Sequence, residues 1–116
     1  MSDQWEIDSL ITYDETKGIT MPPKLEKQDV EVLMKDIAGW IADGENLSIS
    51  KTFTFKDFSA AWAFMSRSAL LAEKMNHHPE WFNVYSRVEV KLNTHDAKGL
   101  TELDFRMARA MNGFAG

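Results

Sequence analysis

The chain has 116 residues, 44% of them hydrophobic and 27% charged, which suits one soluble globular domain able to bury a core without staples. It contains no cysteine, which excludes disulfide scaffolds, thiolate zinc sites, iron–sulfur clusters and cysteine nucleophiles. Thirteen Lys and Arg against 18 Asp and Glu leave a net charge of −5, which argues against a surface that neutralises nucleic-acid phosphates.

The opening Met1-Ser2-Asp3-Gln4-Trp5-Glu6 carries acids where a signal peptide needs cations and an apolar run. No apolar stretch is long enough to span a bilayer, so a cytoplasmic location is the default expectation. Residues 1–23, ending in Pro22-Pro23, read as an N-terminal extension with one short strand or helical turn, and residues 24–116 as a single domain. Val30, Leu33, Met34, Ile37 and Ile41 recur at helical spacing and predict an amphipathic helix over residues 25–38, stopped by Gly39. Trp40-Ile41-Ala42 then leads into a turn at Asp43-Gly44, a dipeptide favoured in tight hairpins. Leu47, Ile49, Phe53 and Phe55 alternate with polar residues, the period of a half-buried strand.

Asp57 is placed to cap a second helix running to Met75. Its apolar stripe is Phe58, Ala61, Trp62, Met65, Ala69 and Ala72, widened by Phe64, Leu71 and Met75. That is more apolar surface than one sheet face needs, so the helix is expected to meet other helices or another subunit. Pro79 bounds it. Residues 81–85 are aromatic and β-branched, and Val88, Val90 and Leu92 alternate, which allows one long strand or two. Thr101 and Asp104 have the spacing of a capping box, with Leu100 and Phe105 as its hydrophobic staple, so a last helix starts near Thr101. With two strands over residues 81–92 the order is α-β-β-α-β-β-α. The expected fold is α+β, an antiparallel four-stranded sheet with helices packed on one face.

Only three histidines are present, His77 and His78 before Pro79 and His95 beyond the following strands. If residues 81–94 formed one strand, its ends would lie roughly 45 Å apart at about 3.3 Å per residue, and His95 could not meet the pair. A site shared by all three requires a hairpin near Tyr85-Ser86-Arg87, where no glycine or asparagine signals a turn. A three-histidine metal site is disfavoured because adjacent residues in an extended segment point to opposite sides. No nucleophile-elbow motif surrounds any serine. General acid–base chemistry by imidazole, which needs no cofactor, fits best.

The run Glu73-Lys74-Met75-Asn76-His77-His78-Pro79-Glu80-Trp81-Phe82-Asn83-Val84-Tyr85, continued by Thr94-His95, Gly99-Leu100-Thr101 and Asp104, resembles the signature of the pterin-4a-carbinolamine dehydratases. Phe53-Thr54-Phe55-Lys56-Asp57-Phe58 and Ala63-Phe64-Met65 are similar to that family too, and the resemblance spans residues 25–110. It implies dehydration of 4a-hydroxytetrahydrobiopterin to quinonoid dihydrobiopterin in tetrahydrobiopterin recycling, without metal or redox cofactor. It implies His77 and His95 as the acid–base pair, His78 as a substrate-positioning residue and Glu73 as an acceptor for the amino-pyrimidine edge. Asn76 stands where many members carry an acid and is expected to contact substrate. Pro79 is expected to fix the histidine loop, and Trp81 to wall the flat ring or fill the core. Phe82 and Tyr85 are expected in the core, and Asp104 as a helix cap. The resemblance also implies a homodimer or homotetramer. For some relatives it implies a second role as a dimerisation partner of a transcription factor, which would add a nuclear location. Direct nucleic-acid or membrane binding is not expected.

Overall fold

A computed structural model describes the backbone of residues 12–14 and 19–116, with side chains from residue 22 onward. Within the expected N-terminal extension, Thr12–Asp14 (β1) pairs antiparallel with Ile19–Met21 (β2), a strand pair where a single short element was expected. The remaining calls on residues 1–11 lie outside the described residues.

Lys27–Leu33 (α1) follows, and its last turn tightens into a 3-10 turn at Met34–Asp36, so the predicted helix is shorter and changes pitch. Gly39 takes φ 85, where a side chain would also press within 2.9 Å of Lys51 Cε. Ile41–Ala42 (β3) and Ile49–Thr54 (β4) form the first hairpin, with Ala42 opposite Ile49. The turn is not the tight Asp43-Gly44 type. Asp43 instead organises a longer loop, its carboxylate accepting from the Leu47 N–H and the Ser48 hydroxyl, while Asn46 takes the left-handed φ of 57.

Phe58–Met75 (α2) starts at Asp57, whose side chain accepts from the Ala60 N–H, the cap read from sequence. Glu80–Val84 (β5) and Arg87–Leu92 (β6) complete a four-stranded antiparallel sheet in the order β3-β4-β6-β5. Glu102–Ala115 (α3) begins with the predicted capping box between Thr101 and Asp104. The observed order is the expected α-β-β-α-β-β-α.

One sheet face is buried. Ile49, Phe53, Val88, Val90 and Leu92 point inward against Phe64, Ala72, Phe105, Met107 and Met111 of the two long helices. Phe64 sits 4.6 Å from Phe53 and 5.1 Å from Phe55, centroid to centroid, so aromatic contact locks α2 to β4. The stripe predicted for α2 is displaced around the helix. Ala61, Phe64, Ser68 and Ala72 are buried, whereas Phe58, Trp62 and Ala69 face solvent. The far part of α3 is latched by Lys51. Its Nζ donates to the Asn112 side chain (2.8 Å) and the Ala38 carbonyl (2.9 Å), and lies 4.7 Å over the Phe53 ring. Trp40 Nε1 donates to the same Asn112 oxygen at 3.0 Å.

Candidate functional site

Bringing the histidine-bearing segments together depends on the reversal after β5. Val84 pairs with Arg87, so Tyr85 and Ser86 alone make the turn. Tyr85 adopts φ 50, a region glycine and asparagine enter far more readily. Asn83 supplies what the turn lacks in sequence signal, its Nδ2 donating to the carbonyls of Tyr85 (3.2 Å) and Arg87 (2.9 Å). Glu80 therefore stands opposite Lys91, and the segment entering β5 and the one leaving β6 share one end of the sheet.

The end of α2 sets the first pair of rings. Asn76 is left-handed (φ 51, ψ 45). Its N–H donates to the Glu73 carbonyl and the His77 N–H to the Ala72 carbonyl, at 3.2 and 3.0 Å, the two bonds of a Schellman ending. Asparagine, after glycine, enters this conformation at least cost, which gives Asn76 a backbone role independent of any substrate contact. The chain turns sharply there, and the two histidines separate: His77 is buried and His78 exposed.

His77 Nε2 lies 2.7 Å from Asp104 Oδ1, with the imidazole 7% exposed and the carboxylate wholly buried. The other oxygen, Oδ2, accepts from the Thr101 N–H (2.9 Å) and from the Thr94 hydroxyl (2.8 Å). Asp104 thus caps α3 as its spacing predicted and also holds His77, a partner 27 positions away that no local pattern announces. His78 Nε2 lies 2.7 Å from Glu73 Oε1, and both side chains are exposed. His95 opens the 3-10 turn His95–Ala97, and its Nε2 is 3.7 Å from Glu80 Oε2. That oxygen also accepts from Asn93 Nδ2 at 3.3 Å.

Each histidine is therefore matched to its own carboxylate, and the Thr94–Asp104 bond ties the His95 segment to His77. Thr94 and Glu80 are the site residues that sequence reasoning passed over. The signal was positional: Thr94 precedes His95, and Glu80 follows His78 by two. A cavity of about 320 Å³ beside His95 is lined by Asn93, Thr94, Lys98, Gly99 and Leu47. A larger concavity of about 660 Å³, between Gly39, Lys51, Phe82 and Lys91, includes none of the histidines. Pro79 is half-buried, and Trp81 is half-buried against the core. Phe82 and Tyr85, expected in the core, are 58% and 63% exposed, because Phe82 lies on the outer sheet face and Tyr85 at the turn. Among the described residues no three His, Asp or Glu side chains gather as metal ligands.

A ring fixed by a buried carboxylate, with a solvent-accessible second imidazole at the same sheet end, has the parts needed for proton transfer in both directions. Fold and site together define an α+β domain carrying imidazole–carboxylate pairs at one end of an antiparallel sheet. The family model for pterin 4 alpha carbinolamine dehydratase matches residues 23–114. A Rhizobium johnstonii protein, provisionally named a pterin-4-alpha-carbinolamine dehydratase, is 59% identical over 88 residues, covering 76% of this chain and 87% of its own. The crystal structure of a Brucella melitensis protein described as a transcriptional coactivator/pterin dehydratase superposes with a TM-score of 0.78. It is 47% identical and spans 80% of this chain and 99% of its own. A pterin dehydratase-like protein described as a RuBisCO assembly factor of the alpha-carboxysome shares the fold at 22% identity and TM-score 0.60, over 70% of this chain and 94% of its own. The chain belongs to the pterin 4 alpha carbinolamine dehydratase family.

Proposed function

We propose that the domain, residues 24–116, dehydrates 4a-hydroxytetrahydrobiopterin to quinonoid dihydrobiopterin in the cytoplasm, as a step of tetrahydrobiopterin recycling. The observation that carries this reading is the buried His77–Asp104 bond of 2.7 Å at the sheet end that also presents His95. In the reaction the C–O bond at the hydroxylated carbon breaks and its electron pair leaves with the oxygen. An acid protonates that oxygen to water, and a base removes the proton of the adjacent ring N–H, whose electron pair forms the C=N bond. His77 and His95 serve as the acid–base pair in this reading. His78 and Glu73 orient the pterin, with Asn76, Pro79 and Trp81 shaping the binding surface. The reaction balances with no metal or redox group.

The test is a stopped assay of 4a-hydroxytetrahydropterin loss. His77→Ala and His95→Ala are expected to lower kcat by about 100-fold or more, the usual contribution of a positioned acid or base. His78→Ala is expected mainly to raise KM. Equal activity in all four proteins would sink the mechanism.

A second role, as a dimerisation partner of a transcription factor, is supported by the exposed Phe58 and Trp62 on α2 and by the coactivator description of the Brucella relative. Co-purification of such a factor from the native source, lost on replacing Trp62, is its test. The same face is proposed to join copies of this chain into dimers or tetramers.

A further inference from the structure

Thr94 belongs to the buried network yet has no part in capping α3, and proton counting fixes the direction of its bonds. Two backbone donors have immovable protons: the Leu103 N–H points to Thr101 Oγ1 at 3.3 Å and the Thr101 N–H to Asp104 Oδ2 at 2.9 Å. Thr94 Oγ1 stands 2.8 Å from both Thr101 Oγ1 and Asp104 Oδ2. A carboxylate only accepts, so the single Thr94 proton goes to Oδ2, and the Thr101 hydroxyl must give its own proton to Thr94. Every proton in the chain thus runs toward Asp104. With Oδ2 taken by two donors, Oδ1 accepts from His77, whose proton sits on Nε2.

We infer that Thr94 is a positioning residue: by orienting the Asp104 carboxylate it holds His77 in its Nε2–H form and leaves Nδ1 as the atom that exchanges a proton with substrate. The inference deepens the proposed acid–base role of His77 and rests on it. Because Thr94 directly precedes His95, one hydroxyl also ties the second imidazole's segment to the first. Positioning of this kind is worth more than its one hydrogen bond, since a ring in the other tautomer presents the wrong nitrogen.

Long-range 1H–15N correlation on 15N-histidine-labelled full chain reads the tautomer directly, with His77 assigned by loss of its signals in His77→Ala. The neutral wild-type ring is expected to show a protonated Nε2 and an unprotonated Nδ1. In Asp104→Asn the two donors at the Oδ2 position still require an oxygen there. The amide NH2 then faces His77, and the ring is expected to switch to Nδ1–H. Thr94→Val is expected to speed exchange of the Nε2 proton and to lower kcat by about tenfold, the loss of one hydrogen bond to a charged group, with KM little changed. Thr94→Ser restores both. A wild-type Nδ1–H ring, or an Asp104→Asn ring still protonated on Nε2, would overturn the inference. So would a Thr94→Val protein with wild-type spectrum and turnover. Should Thr94→Val not fold, the Asp104→Asn spectrum and the match of Thr94→Ser to wild type decide. The spectra need no pterin, so absence of dehydratase turnover would refute the proposed reaction without touching the tautomer result.

Discussion

Asp104 serves two structural ends with one carboxylate. Its capping role was legible because it is written within four residues, Thr101 to Asp104, whereas its bond to His77 joins distant positions that only the folded sheet brings together. The same limit hid the Thr94 hydroxyl. Each of the three histidines has a separate carboxylate beside it: Asp104, Glu73 and Glu80. The structure perturbs the titration of Asp43. The Leu47 N–H on its carboxylate holds it below the ordinary value near 3.8, against slight desolvation and with help from the Ser48 hydroxyl. A value depressed in the folded state stabilises fully above the unfolded value and ceases to do so as pH falls through the folded one. Asp43→Asn should therefore cost a little stability at neutral pH, under about 1 kcal/mol because the group is exposed. The deficit should vanish in acid, as urea melts along a descending pH series would show.

At the scale of elements, periodicity and caps located the helices and the first hairpin and left residues 81–92 as one strand or two, because each signal is local. One misreading and one weak signal have physical causes. The α2 stripe was centred on its aromatic residues, yet the core side carries the small Ala61, Ser68 and Ala72 beside Phe64, which let α3 approach closely. The β5–β6 turn was illegible because its left-handed position holds Tyr85 and its stabiliser, Asn83, lies inside the preceding strand. Asn83→Ala should destabilise the domain by about 1 kcal/mol, the typical net worth of such side-chain bonds. Tyr85→Gly should raise stability by up to about 1 kcal/mol by relieving the left-handed cost. Chemical denaturation of the two variants against wild type checks both directions.

At the scale of the molecule, α2 carries an exposed hydrophobic surface. Phe58, Trp62 and Leu70 of α2 are 47%, 57% and 73% exposed, and the first two rings stack at 6.2 Å. Burying one such ring in an interface is worth about 1.5–3 kcal/mol. If copies of the chain meet there, Trp62→Lys should weaken assembly at least about tenfold. Light scattering should then give a wild-type mass above the 13.3 kDa of one chain and a lower one for the variant. A wild type that stays at one chain mass removes the assembly reading.

The Lys51 latch gives α3 an anchor at each end: Asp104 in its first turn and Asn112 in its third. The helix that sets the His77 ring is thus clamped by β4 and by the loop at Ala38, far along the chain from the histidines. Amide hydrogens of α3 should consequently exchange as one cooperative unit with those of β4, opening together or not at all. Fraying from the C-terminus would stop at Asn112, and the carboxylate at the other end would feel it only once that unit opens.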